Sequence, residues 1–207
     1  MLGLIKKDLL MIKSNFKLIL IMLVVFFIMA LQGEFDISFI PPFIIAMLFM
    51  TTFSYDEYNK WDAYAITLPN GRKNVVKAKY VTSLILALIA LIITIILNIF
   101  VGIINNNLDF SKFIFTLSGC LFAIIFIESI MYPLIFKYGI EKGRIGLFAL
   151  SFIIVVGIRL LLKIAIIPDN IITFLDKYLF IVIPPIALIL LLISCKISEK
   201  IYLKKEF

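Results

Sequence analysis

Six apolar runs, each near the length of a bilayer's hydrocarbon core, leave this chain few choices of fold. They cover about residues 17–33, 37–54, 80–104, 113–136, 145–166 and 178–195. A helix needs roughly 20 mostly apolar residues to cross ~30 Å of hydrocarbon, and fewer when flanking lysines reach back to the headgroups. Composition agrees: 63% of the 207 residues are hydrophobic and 16% are charged, against about 25% charged in soluble domains. There is too little polar surface to cover a water-facing globule. The sequence predicts an all-α integral membrane protein, one domain over residues 1–207 with six transmembrane helices. The first two runs are short and joined by a tight acidic turn through Glu34 and Asp36. Pro41-Pro42 predicts a kinked outer end for the second.

The basic residues set the orientation. Sixteen of the twenty lysines and arginines fall on one side of these spans and four on the other (Lys112, Arg159, Lys163, Lys177). Positive charge collects on the cytoplasmic side, so both termini and the stretch between the second and third runs are expected in the cytoplasm. The net charge of +7 is spread beside apolar runs instead of forming one patch, which argues for lipid headgroups and against nucleic acid. Residues 1–16 form a separate element. Leu2, Ile5, Leu9, Ile12 and Phe16 recur at helical spacing with the lysines largely off that stripe, predicting an amphipathic helix in the headgroup layer. The first run is read as an uncleaved anchor.

Several chemistries are excluded or disfavoured. The chain has no histidine, which removes His-ligated metal sites and His-assisted nucleophiles. No metal site is expected. The topology sets Cys120 and Cys195 too far apart in depth for a disulfide. No GxxxxGK[ST] phosphate loop occurs, so this chain cannot hydrolyse ATP by itself, and no catalytic residue is assigned.

The stretch Ser54–Tyr80 is polar between two apolar runs and holds the chain's one tryptophan, Trp61. Ser54 and Glu57 have capping-box spacing, predicting a helix start there. Pro69 predicts its end, and Asn70-Gly71 a turn. Arg72 and Lys73 then open a helix running into the third span. The residues alone leave two readings open: an interfacial aromatic anchor, or a docking knob for a cytosolic protein.

The run Phe53-x-x-Asp56-Glu57-x-Asn59-Lys60-Trp61-Asp62-x-Tyr64-x-x-Thr67-Leu68-Pro69-x-x-Arg72-Lys73-x-Val75-Val76-x-Ala78-Lys79-Tyr80 resembles the signature of small ABC-2 type transporter permeases. The opening MLGLIKKDLL and the tail KIYLKKEF are similar to that family's ends, so the resemblance covers nearly the whole chain. Asn70-Gly71 departs from the usual pattern at the turn. The resemblance implies a six-span permease of the bacterial cytoplasmic membrane that works as a dimer, with a second copy or a paralogue. It implies a separate cytosolic ABC ATPase that carries ATP and Mg, none being held on this chain. It also implies that the loop between spans two and three is a coupling helix. On that reading Asp56, Glu57, Trp61, Asp62, Tyr64, Leu68, Arg72 and Lys73 serve ATPase coupling. Arg72, Lys73 and Lys79 would meet acidic groups or lipid phosphate, and residues 137–144 would make a smaller contact. The implied activity is export of a hydrophobic or amphipathic substrate, a peptide or drug, with antimicrobial peptides favoured by relatives.

Within the membrane, Glu128 sits mid-run in the fourth span. An acid there costs about 2–3 kcal/mol, so it should face the protein interior or a wet cavity, either in a translocation path or at a dimer interface. Pro133 should loosen the helix nearby. Arg159 and Lys163 are expected to snorkel outward, with a Glu128–Arg159 pair as the lesser reading. Residues 167–177 suggest a separate short helix in the outer leaflet, a feature the resemblance also implies. The alternative function is the substrate-binding membrane subunit of an energy-coupling importer. It is disfavoured because the first span lacks a stripe of small residues. A membrane enzyme is disfavoured because the spans hold no paired carboxylates.

Overall fold

The computed structural model describes residues 1–31, 40–65, 67–104, 110–146, 148–149 and 169–205. The described residues are helical, joined by turns, with no strand among them. The elements are α1 (Leu2–Ser14), α2 (Phe16–Leu31), α3 (Ile40–Tyr58), α4 (Trp61–Ala65), α5 (Gly71–Ile104), α6 (Phe110–Tyr138) and α7 (Asp169–Leu203). Two segments among the described residues are long and apolar enough to cross a membrane: α5, and Thr116–Tyr138 within α6. They correspond to the expected third and fourth spans. Arg159 and Lys163, and most of the expected fifth span, lie outside the described residues, as does the acidic turn through Glu34 and Asp36.

Local chemistry explains several departures from expectation. Pro41 and Pro42 do not kink α3; they occupy its first turn. A helix start tolerates proline because the missing N–H has no intrahelical partner there. No helix begins at Ser54. α3 continues to Tyr58, and the Ser54 hydroxyl donates to the Met50 carbonyl within it at 2.9 Å. Residues 169–177 do not form a separate outer helix but are the first part of α7. α1 packs on the protein along a line that only partly overlaps its apolar stripe. Leu4, Asp8 and Ile12 are buried, whereas Leu2 and Phe16 are 83% and 59% exposed.

Side chains from four helices build the core at the lysine-rich end. Tyr132 of α6 meets Phe49 and Phe53 of α3 and Tyr80 of α5, edge to face at 4.8–5.7 Å. Phe136 joins Phe53 to Tyr202 of α7 at 5.4 and 5.2 Å. Such edge-on pairs set a ring's positive rim against its neighbour's negative face.

α6 and α7 pack together most extensively, and Pro133 helps to define how. A proline at 133 leaves the Ser129 carbonyl without its helical donor. The Ser194 hydroxyl of α7 donates to that carbonyl at 2.6 Å. With its hydrogen spent there, Ser194 accepts from Tyr80 at 2.6 Å, and Tyr80 accepts from Ser198 at 2.9 Å. One directed chain of hydroxyls therefore ties α5, α6 and α7 where unpaired polar groups have no water to turn to. Replacing Ser194 with alanine should destabilise the folded chain by about 1–3 kcal/mol. In a Pro133→Ala background, which restores the helical donor, the loss should shrink; a double-mutant cycle of thermal unfolding in detergent measures that coupling.

Candidate functional site

The polar stretch opens where α3 ends. Lys60 takes a left-handed backbone conformation, φ 48°, which halts α3 and lets α4 start at Trp61 on a new axis. α4 has only five residues and ends at Ala65, before Pro69 is reached. Asn70, φ 55°, reverses the chain again, and α5 begins at Gly71. So short a helix has little stability of its own. It stays in place because its neighbours hold it.

The first hold is a closed ring of four charges. Lys7 and Asp8 come from α1, Asp56 from α3 and Lys79 from α5. Lys7 bonds Asp56 and lies 3.3 Å from Asp8; Lys79 lies 3.1 Å from Asp8 and 2.7 Å from Asp56. Each acid touches both lysines. Asp8, Lys79 and Asp56 are 1%, 4% and 5% exposed. The Lys7 ammonium also stands 4.5 Å over the Trp61 ring, an attraction that pins the start of α4 to α1.

The second hold comes from the C-terminus. Tyr202 of α7 donates to Asp62 at 2.8 Å, and Lys205 lies 3.8 Å from the other Asp62 oxygen. Burial pushes the Tyr202 phenol up, so it remains a donor at any physiological pH. Arg72 donates to the Leu203 carbonyl at 2.6 Å, placing positive charge at the C-terminal end of α7, where the helix dipole favours it.

The third hold reaches the next polar loop. Glu57 accepts the Ile140 N–H at 2.9 Å, and Arg144 donates to the Ser54 hydroxyl at 2.9 Å. Glu57 does cap a helix, although not its own: it serves the segment beginning at 140, just after Gly139, φ 84°.

The predicted coupling residues therefore divide. Asp56 is buried in the ion ring, and Lys79 meets acids of its own chain. Trp61, Asp62, Leu68 and Arg72 are half-buried, with Trp61 beside Tyr64 at 5.0 Å. Glu57, Tyr64 and Lys73 are exposed, as is Tyr58. Glu128 does not join them. It lies in α6 at 2% exposure, enclosed by the chain's own helices. Both free thiols, Cys120 and Cys195, are unpaired with each other, and among the described residues no three acids or cysteines converge as a metal site requires.

Sequence reasoning missed the partners Lys7, Asp8, Tyr202 and Lys205. Asp8 carried a signal: it is the one acid before Glu34, and it lies four residues from both Leu4 and Ile12, on the face that those residues bury.

Truncating Lys79 to alanine leaves two buried aspartates sharing one lysine. It should cost about 3–5 kcal/mol of stability, as broken buried pairs do. Lys73→Ala, on the exposed face, should stay within ~0.5 kcal/mol. Thermal unfolding of both purified variants distinguishes the two positions.

Neither a search of curated proteins nor one of solved structures gives a match. A family model for ABC-2 family transporter protein does match, over residues 3–203. That span takes in the N-terminal helix, the polar stretch and α7, and the chain belongs to the ABC-2 family of transporter membrane proteins.

Proposed function

We propose that the chain is the membrane-spanning permease subunit of an ATP-driven exporter, and that a separate cytosolic ATPase holds it at residues 55–73. One contrast within that stretch carries the reading. Asp56, Asp62 and Arg72 are anchored inward to other helices, while Tyr58 and Tyr64 are 87% and 57% exposed. Aromatic side chains on a braced segment have the makings of a binding hot spot.

The bracing suits transmission of force. A push on α4 reaches α1 through Trp61 and Lys7, α7 through Asp62 and Tyr202, and α3 and α5 through two short turns. A knob on a slack loop would absorb the same push. Beside it lies a groove of about 620 Å³, lined in part by Tyr55, Tyr58, Ile140 and Arg144. It offers a recess to a partner's side chains and would make residues 140–144 the smaller contact.

On this reading the chain crosses a bacterial cell membrane six times with both termini inside, and the lysine bias supports a cytoplasmic place for this face. The whole of 1–207 then acts as one transmembrane domain, with residues 1–16 as the interfacial helix. ATP and Mg belong to the partner. Two copies, or this chain and a paralogue, would enclose a path for a hydrophobic or amphipathic peptide or drug. Glu128, enclosed within one chain, would meet that path or the second copy only when the helices around it part.

Tyr58→Ala with Tyr64→Ala leaves every interhelical anchor in place, so the variant should fold normally. If both rings are hot spots, it should weaken ATPase binding by at least ~2 kcal/mol, roughly thirtyfold. Co-purification and permease-stimulated ATP hydrolysis are the measurements. Unchanged binding and stimulation in the double variant sink the docking assignment. ATP-dependent accumulation of substrate in inverted vesicles tests the direction of transport.

A further inference from the structure

A wholly apolar cavity of about 200 Å³ opens where α1 turns into α2. Its floor includes Ile44 and Leu48 of α3 and Leu86 and Ala90 of α5, all buried. Its rim includes Phe16 and Ile89, which are 59% and 44% exposed, so the cavity opens sideways to the surrounding solvent or lipid. Every residue lining it is apolar. A site of that kind does not hold water stably, because water needs polar partners. It is also smaller than the roughly 300–1,000 Å³ of a drug-sized pocket. Its α5 wall runs from Leu86 to Ile93, which is about 10 Å at helical rise and most of one hydrocarbon leaflet. A slot of that length, lined by apolar side chains alone, accepts a segment of one acyl chain.

Charge at the mouth selects the headgroup. Lys13 and Lys17 flank Phe16 in sequence, both are exposed, and among the described residues neither is paired with an acid. Their sequence neighbours Ile12 and Phe16 line the cavity, so a phosphate on these lysines would lie beside it.

We infer that this corner is a specific site for an anionic phospholipid, with one acyl chain in the cavity and its phosphate on Lys13 and Lys17. The inference rests on the membrane family and the geometry of the corner, not on the exporter reading. The bound lipid fills the angle between α2, α3 and α5 and so supports the C-terminal end of α1 on the face that carries Asp8.

Native mass spectrometry of the full chain in detergent, with phosphatidylglycerol or phosphatidylcholine added, tests the site. Phosphatidylglycerol should be retained at least about tenfold better, since two lysines at a headgroup are worth that much or more. K13Q with K17Q should erase the preference. Ile89→Trp, a rim change at an exposed position, should reduce retention of both lipids by closing the slot. All of these positions are exposed, so the variants keep the fold; circular dichroism and size exclusion check that. Equal retention of the two lipids by the unaltered chain overturns the proposal. So does undiminished phosphatidylglycerol binding by the lysine variant. If Ile89→Trp breaks up a dimer without releasing lipid, the slot is a contact between copies and the lipid site is wrong.

Discussion

Four charges from three helices, three of them buried and the fourth half-buried, fix how this protein's lysine-rich end is assembled. Taking Lys7, Asp8, Asp56 and Lys79 out of water costs several kcal/mol per ion. The alternating ring repays much of that because each acid faces both lysines. The net gain in stability is small, but the selectivity is large. Sliding α1 by one turn against α3 or α5 would strand a charge in a near-dry interior, and that outcome is far worse than either the ring or an apolar replacement. The ring therefore sets the depth and rotation of the N-terminal helix.

The placement of α4 depends on that ring. A five-residue helix between two turns has no stability to spare, yet it is clasped on one side by Lys7 over Trp61 and on the other by Tyr202 and Lys205 on Asp62. The aromatic cluster around Tyr132 and the hydroxyl chain through Tyr80 give these anchors rigid ground. Two breaks in the helices are met in the same way. Pro133 frees a carbonyl and Ser194 takes it up; Gly139 turns the chain and Glu57 caps the helical segment that starts at Ile140. Each irregularity in one helix is met by a side chain from another, and together these links make the bundle specific.

Much of this was legible in the residues. The apolar runs fixed the class, since hydropathy and length need no knowledge of contacts. α5 was placed by its breakers and its basic start. The family signature picked out a stretch that, among the described residues, holds many polar contacts between helices. Other readings failed for physical reasons. The Ser54–Glu57 spacing has the form of a capping box, but Glu57 serves a helix more than eighty residues away. Pro41-Pro42 suggested a kink because a pattern does not say where a helix begins. The apolar stripe of α1 speaks to the headgroup layer and does not tell which face packs inside, since hydrophobic periodicity weighs Asp8 as polar and cannot see two lysines waiting for it.

The sequence by itself determined that this chain belongs in a bilayer, roughly where α2, α3, α5 and α6 would lie, and which segment would carry polar contacts. Those are properties of one stretch of chain in its solvent. Only the tertiary structure decided which charges are spent internally and which side chains remain outside. Asp56 and Lys79 looked as available to a partner as Tyr64 and Lys73, and nothing local separates them. The difference arises because Asp8 and Lys7, about fifty residues or more away along the chain, arrive at the same point in space and neutralise one pair while leaving the other in solvent.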